Sequence, residues 1–217
     1  RNRLQLFPAQ RVTPHSNHSA ICSHRKRNRM NIIVRPYGES GCYCRPDTTW
    51  ERENKDIHVP EGIMEVRWAP VVFIRISKAG KCIGQKFVSR YYDSFNAGAL
   101  LYCQTDTCDE PVAFTSCADH SSLLPSPSRN AAELDEPGTD YDVMKDSVKI
   151  FEADLSSMKT ALEEAICAAS QLTSLRIGDY VAVEMSPVST LATSENKVTS
   201  LKISSADKIL YDINIIF

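Results

Sequence analysis

The chain has 217 residues, 42% hydrophobic and 24% charged, with a formal net charge of −2. Those proportions are ordinary for a globular protein, and one domain of this size can bury a sizeable core without disulfides or metals. No apolar stretch approaches the length needed to cross a bilayer, and no leader-like apolar segment opens the chain, so the expected location is the cytoplasm.

Charge is unevenly distributed. Residues 1–29 hold seven basic side chains and no acidic one, leaving 18 basic against 27 acidic in residues 30–217, net −9. A disordered basic tail or extension is expected over 1–29, followed by one acidic domain over 30–217. The cluster His24–Arg29 (HRKRNR) has the composition of a nuclear signal or nucleic-acid arm, but no aromatic residue interleaves it to stack on bases. An acidic body lacks the clustered cations that phosphate binding requires, so nucleic acid is not an expected partner. Cys103 and Cys167 sit in apolar segments, and the eight cysteines are expected to be mostly free thiols.

From Met30 onward the pattern is β-rich. Asn31–Arg35 (NIIVR) reads as a short strand, and residues 37–47 are rich in turn formers. Asp56–Val59 is a short strand stopped by Pro60. Ile63–Trp68 and Val71–Ser77 are separate β-branched runs, and the apolar start of the second predicts a strand covered on both faces. Gly84–Ser94 is expected to form a short helix, and Asn96–Cys103 a buried strand. Residues 119–142 contain three prolines and few large apolar groups, the composition of a long loop. Ser147–Ala153 reads as a strand. Met158–Leu172 is the clearest helix, with Leu162, Ala165, Ile166 and Ala169 on one stripe and a capping-box spacing at Thr160 and Glu163. Asp179–Met185, Val198–Ser204 and Lys208–Phe217 complete the strands. In the last, the period of two assigns Ile209, Tyr211, Ile213 and Ile215 to a buried face.

Chemistry-bearing motifs are scarce. Neither Cys42/Cys44 nor Cys103/Cys108/Cys117 has the paired spacing of a structural zinc site. The acidic residues of 133–146 lack the calcium-loop pattern. Outside the tail the candidate bases are His58 and His120, and neither accompanies a nucleophile elbow.

Three ordered segments resemble the fumarylacetoacetate hydrolase (acylpyruvase/isomerase) family. They are Arg45-Pro-Asp-Thr-Thr with Asp56-Ile-His-Val-Pro60, the long run from Val71 to Tyr102 containing SRYYDSFNAGALLY, and Leu175-Arg-Ile-Gly-Asp179 with the closing strand from Lys208. The resemblance implies an α+β, mainly β fold: a mixed, twisted β-roll with few helices, usually dimeric. It also implies cleavage or isomerisation beside a carbonyl in acylpyruvate-type keto acids, with Mg2+, Mn2+ or Ca2+ as Lewis acid. Aligned with that family, however, the three carboxylate ligands fall on Ala69, Val71 and Leu100, so no metal and no catalytic residue is expected. Arg45, Asp47 and Ser186 are the polar groups that the resemblance leaves near a remnant pocket. The expected function is a non-catalytic homologue that binds a small keto acid or acts as an assembly subunit, as a homodimer or a heteromer with a related subunit. The alternative is a hydrolase or isomerase with a rearranged site, using carboxylates of the 119–146 segment such as Asp140 and Asp142.

Overall fold

The computed structural model describes residues 30–105, 112–127, 129–136, 138 and 140–217. The basic segment 1–29 lies outside the described residues. In chain order the strands are β1 (Ile32–Arg35), β2 (Tyr43–Arg45), β3 (Trp50–Glu51), β4 (Ile57–His58), β5 (Glu65–Ile76) and β6 (Tyr92–Gln104). A single helical turn, α1 (Val112–Thr115), precedes β7 (Ser122–Leu123), β8 (Arg129–Asn130), β9 (Asp140–Lys145) and β10 (Val148–Asp154). Helix α2 (Lys159–Leu172) leads to β11 (Tyr180–Glu184), β12 (Ser189–Thr193), β13 (Val198–Ser205) and β14 (Lys208–Ile216).

These strands form two mixed sheets. The larger runs β2-β1-β11-β5-β6-β7-β3, with β12 also on β5 and β8 on β6; the smaller runs β10-β9-β13-β14-β4. One core joins them. Val66, Trp68, Val72 and Ile74 of β5 pack in the same cluster as Leu162, Ala165, Ile166 and Ala169 of α2 and Tyr211, Ile213 and Ile215 of β14. The opposite face of the large sheet carries a second cluster, Ala69, Val71, Phe73 and Leu100 among them. Strand β5 is therefore covered on both faces, as its apolar run requires.

The two β-branched runs that Pro70 separates in sequence are one strand of 12 residues. Proline cannot donate to a ladder and is normally confined to edges. Here it sits where one neighbour of β5 gives way to another: β11 pairs with Val71–Arg75 and β12 with Glu65–Trp68. The missing N–H faces that gap, and the carbonyl of Pro70 accepts from the Met185 N–H at 2.9 Å.

Other expectations are corrected. The short helix is a 3-10 turn over Gln85–Arg90, and the following strand begins at Tyr92. The 119–142 segment is not a plain loop; it contains β7, β8, a 3-10 turn over Ala131–Asp135 and the start of β9. Thr160 does not cap α2. The helix continues a 3-10 turn whose cap is Asp154, accepting from the Ser156 N–H at 2.9 Å, and Glu163 instead accepts from the Tyr92 hydroxyl at 2.8 Å. A bulge between β13 and β14 shifts the register, which leaves Ile209 51% exposed while Tyr211, Ile213 and Ile215 stay buried.

Two local devices fix the large sheet. Asp179, fully buried, accepts from the backbone N–H of Asn31 and Arg176, both at 2.8 Å, so it clasps the start of β1 to the turn before β11. Gly178 makes that turn at φ +95°, a region costly for any residue with a Cβ. At Gly98 a Cβ would lie 2.3 Å from the Leu123 carbonyl oxygen, so only glycine lets β6 and β7 approach.

Candidate functional site

Alternate residues of β2, β1, β11, β5 and β6 share the sheet face that turns away from α2. At one end this face is apolar. Ile32, Val34, Ala69, Val71, Phe73, Leu100, Leu124 and Ala182 each have no exposed surface and form one cluster. One step along the strands the character changes. Glu184 lies directly across from Val71, and Tyr102 is two residues beyond Leu100 on the same face. Tyr43 arrives from β2, opposite Val34.

These polar residues line a cavity of about 780 Å³ together with Arg67, Gln104 and, from α1, Val112 and Thr115. That volume suits a small ligand. The Tyr102 hydroxyl donates to one oxygen of Glu184, and the Tyr37 backbone N–H donates to the other at 3.0 Å. The Tyr43 and Tyr102 hydroxyls are 2.7 Å apart. Burial raises Glu184 above the usual carboxylate range, opposed in part by its two donors and by Arg45. Burial likewise pushes Tyr43 up to about 12, and Tyr102 further still. Both phenols therefore stay protonated as donors near neutral pH. On the wall, Arg67 donates to the Val188 carbonyl at 3.0 Å.

The three residues proposed from sequence are not gathered in this cavity. Arg45 is 2% exposed and donates to the carbonyls of Ser116 (2.9 Å) and Leu101 (2.6 Å) and to the Ser121 hydroxyl (2.8 Å). Its guanidinium lies 5.1 Å from the Tyr102 ring centroid, so it supports the cavity through that ring rather than lining it. Asp47 is exposed at the start of the Asp47–Thr49 turn. Ser186 follows β11, with its hydroxyl 3.4 Å from the Pro187 carbonyl; Pro187 lines the cavity and Ser186 does not. Glu184, Tyr102, Tyr43 and Arg67 are the residues that sequence reasoning missed. A signal existed for Glu184, a lone acid closing the otherwise apolar strand YVAVE.

Asp140 and Asp142 stand on β9 in the smaller sheet, where Asp142 pairs with Lys149 at 2.9 Å; neither lines the cavity. His58 is exposed on β4. His120 is also exposed, but its Nδ1 is 2.7 Å from the buried Glu51 carboxylate. Among the described residues no serine or cysteine is hydrogen-bonded to either ring, so neither makes a nucleophile–base pair. The six described cysteines are free thiols.

A divalent cation does not fit the residues at the locus which the family resemblance assigns to it. Ala69, Val71 and Leu100 offer no side-chain donor atom, and Glu184, across from Val71, is a single carboxyl already engaged by Tyr102 and the Tyr37 N–H. Among the described residues no group of three or more His, Cys, Asp or Glu side chains is placed to hold a metal.

The order of strands, the curled mixed sheets and the one long helix among the described residues define a β-roll of the fumarylacetoacetate hydrolase type. Solved structures share it across most of their length. A protein assigned to the fumarylacetoacetate hydrolase family from Yersinia pestis matches with TM-score 0.67 and 16% identity, covering 86% of this chain and 92% of its own. Fumarylpyruvate hydrolase from Pseudomonas aeruginosa, in complex with Mn2+ and pyruvate, matches with TM-score 0.66 and 12% identity, covering 87% and 89%. The 5-carboxymethyl-2-hydroxymuconate delta-isomerase from Mycobacterium smegmatis matches with TM-score 0.69 and 12% identity, covering 87% and 79%. No protein-family model matches the sequence, and no curated protein does. No helix among the described residues is long and apolar enough to cross a membrane.

Proposed function

We propose that this chain is a non-catalytic relative of the hydrolases and isomerases that share its fold, and that it binds a small carboxylic acid in the Glu184 cavity without a resident metal. One juxtaposition carries the reading. The locus that the resemblance assigns to a Lewis acid is filled by Ala69, Val71 and Leu100, while a cavity lined by one guanidinium, three tyrosines and two carboxyls opens beside it. Arg67 supplies a cation for an anionic group, and the tyrosines supply donors. Neighbours of the same fold have been solved with pyruvate bound, which makes a small keto acid the first ligand to try.

The test pairs two assays on one preparation. Titration calorimetry with pyruvate is expected to show binding in metal-free buffer. An acylpyruvate panel with saturating Mg2+ or Mn2+ is expected to show no loss of enol absorbance. Metal-dependent turnover would contradict the reading.

A second reading, a metal-free hydrolase or isomerase, is favoured by the placement of a carboxyl in hydrogen-bond contact with a phenol inside a cavity, an arrangement suited to proton transfer. Turnover of the same panel in chelator, abolished by Glu184→Gln, would select it. The proposal extends to assembly in the cytoplasm as a homodimer or with a related subunit. Native mass spectrometry of the purified chain and co-purification from extract distinguish these.

A further inference from the structure

Glu184 is 4% exposed, yet it faces a cavity and has no salt-bridge partner among the described residues. Its two oxygens each have one donor, Tyr102 O–H and Tyr37 N–H. The other titratable and charged groups around it come from every neighbouring element. Tyr37 and Glu39 stand in the turn after β1, Tyr43 and Arg45 on β2, Arg67 on β5 and Tyr102 on β6. The thiols of Cys42 and Cys117 lie near Tyr43, and α1 contributes no charge.

Within that set the cations are unequal. Arg45 lies outside the lining, its Nε and Nη2 held by two carbonyls and a hydroxyl and its buried Nη1 without a partner among the described residues. Arg67 is half-buried on the wall and, among the described residues, donates only to the Val188 carbonyl. An entering anion would therefore meet one available guanidinium opposed by two carboxylates, Glu39 and Glu184. Glu39 is exposed and screened by water; Glu184 is not.

We infer that anion binding in this cavity is coupled to the uptake of one proton by Glu184, so that the site loads at lower pH and empties as pH rises. The inference rests on the ligand-binding reading above and concerns its regulation. The proton comes from solvent: ligand anion, ionised Glu184 and one proton give the complex with a neutral carboxyl. Protonation removes the like charge and converts an acceptor into an O–H donor for the ligand. Burial of Glu184 against the cavity already favours the protonated form, in the same direction as the coupling.

The experiment is calorimetric titration of the whole chain with pyruvate between pH 5 and 8, in pairs of buffers that differ in ionisation heat. The buffer dependence counts protons on the wild type and needs no variant. Uptake is expected to approach one proton, with affinity falling about tenfold per pH unit above the Glu184 value. Glu184→Gln, a neutral isostere, is expected to bind with a flat pH profile. Pyruvate binding with no proton uptake, or a decline with pH that survives in Glu184→Gln, would overturn the coupling and leave the ligand-binding reading standing. No binding by either protein at any pH would overturn both.

Discussion

Two ends of one sheet face teach the main lesson of this molecule. The same five strands run through both. At one end Ala69, Val71 and Leu100 are sealed among aliphatic and aromatic side chains. At the other, starting from the residue opposite Val71, Glu184, Tyr102 and Tyr43 surround a cavity. Backbone geometry is continuous across the boundary, so only side-chain chemistry separates a dry core from a polar site. One sheet face can therefore carry a dry core and a polar site side by side.

Charging the apolar end should have the largest effect. Leu100→Asp puts a carboxylate at a fully buried position in a mainly apolar cluster, and a loss of about 4 kcal/mol is expected in urea denaturation. Added Mn2+ should not restore it, because one carboxylate among aliphatic neighbours is not a cation site. Leu100→Ala, which only leaves a cavity, is expected to cost about 3 kcal/mol. Equal losses for the two variants would show that this end is wetter than its packing indicates.

At the polar end Tyr102→Phe removes the donor to Glu184 and the partner of Tyr43 while keeping the ring. A loss of about 1–2 kcal/mol in stability is expected, with weaker pyruvate binding by calorimetry. The pH dependence has a definite sign. Glu184 is raised in the folded state above its ordinary value of 4.5, so the native protein holds that proton more tightly than the unfolded chain does. Its stabilising contribution is fully present below pH 4.5 and is lost as pH rises through the raised value. Denaturation of wild type against Glu184→Gln from pH 4 to 8 should show wild type losing ground across that window. The smallest effect is expected at His120, which belongs neither to the cavity lining nor to the apolar cluster. His120→Ala breaks the contact with Glu51, but the ring is 62% exposed, and a change of no more than about 1 kcal/mol is expected.

The apolar end was legible in the sequence because its signal is local. VVFIRIS and ALLY are runs whose burial follows from composition. Helix α2 was legible through its apolar stripe, which is buried as read. The polar end was not legible, because its residues come from four strands that are far apart in sequence. Tyr43 and Glu184 are 141 positions apart and meet only through the parallel pairing of β1 with β11. Arg45 was expected near a remnant pocket, but it is held outside the cavity lining by two backbone carbonyls and a hydroxyl that no motif encodes. The split of β5 at Pro70 was misread because sequence cannot show that two different strands share one neighbour.

The most direct test of the account is the binding of pyruvate to the whole chain with and without Mn2+, with Mn2+ binding followed in parallel by its paramagnetic resonance. The account predicts the same pyruvate affinity in chelator and in Mn2+, and no stoichiometric Mn2+ bound. Stoichiometric Mn2+ that pyruvate binding requires would contradict it, and would mean that the apolar end of the sheet is not where the metal chemistry of this fold must be sought.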